Sequence, residues 1–162
     1  MSKVNPLYLL LLLIPLQAVA MEGDRQQPIA VEADSLEVRE NENISIYQGN
    51  VKLNQGSLNA ESDRMVVYFN DDRELVSIEM TGKPAHFRQL DNQRREMRGR
   101  GLQIDYTEAG SLLVLTGDAF YQHAGDTIES ELIQVNTDTS HVQAHGNETD
   151  QRVKMLIQPS QE

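Results

Sequence analysis

The chain has 162 residues, 25 acidic against 14 basic side chains, and neither Cys nor Trp. That length suits one domain and is too short for a (β/α)₈ barrel. Without Cys there is no thiol catalysis, disulfide or thiolate metal site. A net charge of −11 has the wrong sign for general nucleic-acid binding, which needs a basic face.

Residues 1–20, MSKVNPLYLLLLLIPLQAVA, carry a cation at Lys3, an almost unbroken apolar run from Leu7 to Ile14, a break at Pro15, and small residues at Ala18 and Ala20. This is the three-part pattern of a secretory signal peptide. The apolar run is too short for a membrane span, which needs ~20 residues. Cleavage after Ala20 is expected, leaving residues 21–162 as a mature chain of charge −12, exported to a periplasm.

From there the pattern is strand after strand. Ile29-Ala30-Val31, Ile44-Ser45-Ile46, Val51-Lys52-Leu53 and Leu58-Asn59-Ala60 all step in twos, as do Leu102 to Tyr106, Ile128-Glu129-Ser130 and Val153-Lys154-Met155. A period of two puts alternate side chains on opposite faces of a strand. Turn signals separate the runs at Gly49-Asn50, Gln55-Gly56, Asn70-Asp71-Asp72, Gly82-Lys83-Pro84, Glu108-Ala109-Gly110, Gly117-Asp118, Gly125-Asp126 and Gly146-Asn147. Spacing of ~8–12 residues between turns predicts an all-β sandwich or roll.

The chain also repeats itself weakly. Val51-Lys52-Leu53, Ala85-His86-Phe87 and Ala119-Phe120-Tyr121 are each 34 residues apart, and Met65-Val66-Val67, Ile104-Asp105-Tyr106 and Ile133-Gln134-Val135 form a looser set. Such repetition predicts a stack of strand layers around an elongated trough. The first and last strands of a stack are free edges. Ile29 and Val31 mark one edge; Val153, Met155 and Ile157 mark the other, and Lys154 is modest protection against pairing with another chain. Strand addition to a partner and burial under a neighbouring loop are both open readings.

Six cations (Lys83, Arg88, Arg94, Arg95, Arg98 and Arg100) face only Asp91 and Glu96 between positions 83 and 100. The segment reads as a hairpin with its loop at Asp91-Asn92-Gln93. Arg94, Arg95 and Arg98 are candidate phosphate contacts, since guanidinium forks suit such groups. The other reading is a solvated hairpin balancing an acidic surface.

No catalytic motif is present: no G-x-S-x-G elbow, HExxH, Gly-rich phosphate loop or EF-hand loop. His141 and His145 have an H-x₃-H spacing but no third ligand at a matching distance, so neither a metal nor another cofactor is expected. An alternating trough without such machinery points to binding rather than catalysis. An apolar chain held inside gains ~0.8 kcal/mol per buried CH₂.

Pro28 to Asp34, Gly49-Asn50-Val51, Ala60 to Val67, Gly82-Lys83-Pro84-Ala85-His86-Phe87 and Val114-Leu115-Thr116-Gly117-Asp118-Ala119, in this order, resemble the OstA-like domain family of lipopolysaccharide transport proteins. The resemblance covers about residues 27–158. It implies an antiparallel β-jellyroll open along one side, with lipid A acyl chains inside and sugars and phosphates outside. It implies head-to-tail joining into a bridge between an inner-membrane export component (LptC-like) and an outer-membrane assembly component (LptD-like). The family's ligand-facing positions fall on Ile29, Val31, Phe87 and Tyr106; alternation adds Val51, Leu53, Met65 and Val67. The contrasting readings are a periplasmic enzyme acting on envelope glycans and a structural β module without lipid.

Overall fold

The computed structural model describes residues 24–147 and 152–159; the expected signal peptide at 1–20 lies outside them. Among the described residues the strands are β1 (Ala30–Glu32), β2 (Ser35–Arg39), β3 (Ile44–Gln55), β4 (Leu58–Phe69), β5 (Leu75–Leu90), β6 (Glu96–Thr107), β7 (Leu112–His123), β8 (Asp126–Asn136), β9 (His141–His145) and β10 (Lys154–Leu156). Short 3₁₀ turns at Asp24–Gln26 and Glu40–Glu42 complete them. Strands β3 to β8 form a continuous antiparallel meander. β1 and β2 share the free edge of β3, and β9 and β10 share the free edge of β8. The all-β antiparallel expectation holds.

The long strands do not run straight. The pairing register slips between Gln48 and Val51 on β3, Glu61 and Arg64 on β4, Thr81 and Ala85 on β5, Arg100 and Gln103 on β6, and Thr116 and Ala119 on β7. Extra residues in one strand of a pair bend it and raise its twist. Bends at one level on adjacent strands make a seam, along which the sheet folds into two facing layers. On β3 and β7 the bend is made by Gly49 (φ 82) with Asn50 (φ 47) and by Gly117 (φ 77) with Asp118 (φ 46). Gly enters that region without penalty, and Asn and Asp tolerate it.

This corrects the sequence reading. Gly49-Asn50, Gly82-Lys83-Pro84 and Gly117-Asp118 are bulges inside β3, β5 and β7, not turns between strands. The turn residues are the same in both settings because both need positive φ or a local break in pairing. The seam also shifts the alternation by one residue on several strands. On β6, Gly99, Gly101 and Ile104 are buried while Leu102 is 50% exposed, so the step of two from Leu102 to Ile104 is broken.

One apolar cluster joins both layers, including Met65, Met80, Ile104, Leu115 and Ile133 from one and Val51, Leu53, Phe87 and Tyr121 from the other. The internal repeats follow from this layout. Val51, Ala85 and Ala119 are the first inward positions beyond the seam, and Leu53, Phe87 and Tyr121 the second. Met65, Ile104 and Ile133 hold the corresponding row of the opposite layer. A spacing of 34 is thus one down-and-up pass of the meander.

Candidate functional site

The inner face of the layer built from residues 51–62, 85–101 and 119–130 changes character from the seam outwards. Beside the seam lie Val51, Ser62, Ala85, Gly101, Ala119 and Ser130, all small except Val51. Two layers converge there, and only short side chains fit the taper. The next row, Leu53-Ala60-Phe87-Gly99-Tyr121-Ile128, alternates large and small as far as Tyr121. A Cβ at Gly99 would collide with the Phe87 ring and approach Leu115 of the opposite layer at 3.1 Å. The outermost row is Gln55, Leu58, Gln89, Met97, His123 and Asp126, mostly polar. The inner face of this layer is therefore apolar in depth and polar at the mouth, the order in which an amphiphile enters tail-first.

At the mouth the two layers meet across a cavity of about 30 Å³, lined by Phe87, Gln89, Met97 and Tyr121 on one side and Leu113, Val135 and Thr137 on the other. That is the room of a single water. Anything larger would fit there only if the layers parted, and among the described residues no ladder joins them on the side opposite the seam.

Of the residues singled out from sequence, Val51, Leu53, Met65, Val67 and Phe87 are buried in the shared cluster, and Val31 and Tyr106 pack against it half-buried. The Tyr106 hydroxyl donates to Glu108 Oε2 at 2.8 Å. Ile29 precedes β1 and is 46% exposed. Met155 pairs with Ile128 and so points to the inner face, yet it is 57% exposed because β10 ends the stack. Val153 and Ile157 flank β10 and are exposed. Sequence reasoning missed Leu36 and Val38 on β2. They pair with Tyr47 and Ser45, share the inner face, and are each 55% exposed. Their step of two was readable, but acidic neighbours at Glu32, Asp34, Glu37 and Glu40 mask it.

The expected arginine hairpin is the β5–β6 pair. Arg94 stands exposed on its turn, at the mouth end of the layer. Arg95 Nε is 2.7 Å from Asp91 Oδ2. Arg98 faces outwards, with Nε 3.1 Å from Glu96 Oε1 and 2.9 Å from Gln122 Oε1. Asp91 is the hub of this end: its carboxylate accepts from the Gln93 and Arg95 amides at 2.8 Å each and meets His123 Nε2 at 2.9 Å. Burial pushes the Asp91 carboxyl up, but the hydrogen bonds from His123, Arg95 and Gln93 outweigh it and hold it well below the usual carboxylate range. Burial, with the Asp91 charge second, pushes the Tyr121 hydroxyl up to about 12. His141 and His145 lie on the outer edge of β9, exposed and four residues apart on a strand. That is about 13 Å, too far to share an ion with ligands at ~2 Å.

A family model described as LptA/(LptD N-terminal domain) LPS transport protein matches residues 30–141. The chain is 30% identical over 152 residues to the lipopolysaccharide export system protein LptA of Escherichia coli (strain K12), covering 93% of this chain and 82% of that protein. It is 30% identical over 149 residues to the lipopolysaccharide export system protein LptH of Pseudomonas aeruginosa, with 88% and 85% covered. The crystal structure of Pseudomonas aeruginosa LptH, described as the LptA-homologous periplasmic component of the conserved lipopolysaccharide transport device, superposes with a TM-score of 0.75 at 29% identity, covering 84% of this chain and 99% of that one.

Proposed function

The chain belongs to the LptA/(LptD N-terminal domain) family of lipopolysaccharide transport proteins, and on that premise we propose that it is a periplasmic lipopolysaccharide carrier and bridge. It holds lipid A acyl chains between its two layers and joins head-to-tail with other β-jellyrolls. The observation that carries this reading is the gradient of the interior, from small residues at the seam through Phe87 and Tyr121 to Gln89 and Asp126 at the mouth. An acyl chain gains burial in depth, while sugars and phosphates stay at the rim. Loading parts the layers about the seam. Val31, Val51, Leu53, Met65, Val67, Phe87 and Tyr106 line the path, and Ile29 contributes from the N-terminal edge. Of the three candidate phosphate contacts, exposed Arg94 on the mouth-side turn is the one this reading favours, since Arg95 is tied to Asp91 and Arg98 faces outwards.

The ends of the stack support the bridge. Inward-pointing Leu36 and Val38 lie bare at one end and Met155 at the other, so the apolar interior continues into whatever docks there. The proposed occupants are an inner-membrane LptC-like component at one end, an outer-membrane LptD-like component at the other, and further copies between. The named relatives are transport proteins, which supports a carrier that does no chemistry. Removal of residues 1–20 on export would release a periplasmic protein that begins at Met21.

The test is mass spectrometry of lipid extracted from protein purified out of a lipopolysaccharide-producing cell. Co-purifying lipopolysaccharide at a defined ratio is expected. Protein that carries none, and that takes up no purified lipid A when offered it, would end the carrier reading.

A further inference from the structure

Resting on that reading, we propose that the Tyr121 hydroxyl is the polar handle of the mouth, donating a hydrogen bond to the oxygen at the head of an acyl chain. The protein would therefore prefer ester- or amide-linked acyl chains over alkyl chains of equal length.

Tyr121 sits in the middle inner row, opposite Gly99 and Ile128, and is 4% exposed. A buried tyrosine hydroxyl normally finds a strong acceptor. Here it donates to Met97 Sδ at 3.7 Å, and a thioether is a weak acceptor. Both partners line the mouth cavity. The apolar part of the lining is Phe87, Leu113 and Val135; of its polar residues Gln89, Tyr121, Asn136, Thr137 and Ser140, Tyr121 alone is buried, so its hydroxyl is the donor set back from the rim of the mouth. The other polar groups of the lining are engaged or lie at the rim: Gln89 donates to Asp24, Asn136 to the Gly110 carbonyl and Thr137 to the Ser111 carbonyl, and Ser140 is exposed. The hydroxyl also keeps its proton, since burial and the Asp91 charge both oppose ionisation. It is a donor at any physiological pH.

A tail-first ligand brings its chains past Tyr121 and stops where its first polar atoms reach the rim. For an acyl chain those atoms are a carbonyl or a hydroxyl, both acceptors. An ether-linked alkyl chain lacks the protruding carbonyl; its only oxygen lies within the chain, screened by a CH₂ group on either side. Exchanging the sulfur contact for a carbonyl oxygen replaces a weak acceptor by a stronger one, a gain of up to about 3–10-fold in affinity.

The experiment compares a diacyl glycerol phosphate with its di-O-alkyl counterpart of the same chain length, on the mature protein and on Tyr121→Phe, by equilibrium binding. Wild type should favour the diacyl lipid about 3–10-fold. Tyr121→Phe should lose that preference while binding the dialkyl lipid as wild type does, which also shows that the ring still packs. Met97→Leu, which removes only the sulfur, should keep the preference. Should wild type bind both lipids and Tyr121→Phe match it on each, the handle falls while the carrier reading stands. An equal loss on both lipids would make Tyr121 a packing residue and overturn the proposal as well. If wild type takes up neither lipid, the carrier reading falls and takes the handle with it.

Discussion

The Phe87 ring on β5 occupies the space that a side chain at Gly99 on β6 would fill. The two residues are direct cross-strand partners, and their row alternates Leu53, Ala60, Phe87, Gly99 and Tyr121. Large side chains are thus seated over small ones between two layers that converge. The glycine is there for close approach, and an aromatic ring laid over a strand glycine recovers the contact that the missing side chain forfeits.

Gly99→Ala should therefore destabilise the fold by about 1–3 kcal/mol, the usual penalty of overpacking a filled core. Urea unfolding measures it. An unchanged midpoint would mean that the ring yields freely and that the row is not tightly seated.

Asp91 makes stability depend on pH. Its folded-state carboxyl lies below the ordinary value of 3.8, so its contribution is complete above that value and is lost as pH falls through the folded-state value. Asp91→Asn should lower stability by about 1–3 kcal/mol near neutrality through weaker hydrogen bonds to Arg95 and His123. The difference from wild type should shrink below about pH 4. Parallel stability curves down to pH 2 would contradict the assignment.

Loading should require the layers to part. The native chain has no Cys, so Gln89→Cys with Thr137→Cys places a single pair across the mouth, on residues that line the same small cavity. Joining them with a reductively cleavable cross-linker should abolish lipopolysaccharide uptake, and reduction should restore it. Undiminished uptake by the joined protein would place the entry route elsewhere.

End-to-end growth should depend on bare inward side chains at the two ends. Leu36→Lys with Val38→Lys blocks one end and Met155→Lys the other; each variant alone should stop particles lengthening with concentration in sedimentation. Mixed together, the two keep one pair of intact ends and should stop at a dimer. Long particles from either variant alone would show that contacts elsewhere join the copies.

The strand content, the hairpins at Asn70-Asp71-Asp72 and Asp91-Asn92-Gln93, and the 34-residue repeat were all legible because they depend on local rules: alternation, turn chemistry and the length of one meander pass. Burial of Val51, Leu53, Met65 and Val67 followed from the same alternation, and that of Phe87 from the family resemblance. Gly49-Asn50 and Gly117-Asp118 were misread because positive φ serves a hairpin and a bulge equally, and a single chain does not reveal whether pairing resumes beyond it. Leu102 failed for the related reason that a bulge shifts the alternation by one residue.

Residue order alone determined an exported-looking chain of alternating strands with an apolar face, since side-chain direction along a strand is a matter of counting. Tertiary structure decided that bulges on neighbouring strands fall into one seam, because register is set between strands and not within them. It also decided that the second layer folds back over the first. That meeting of two faces brings Tyr121 and Met97 on one layer opposite Leu113 and Val135 on the other, and no spacing within one strand could have announced it.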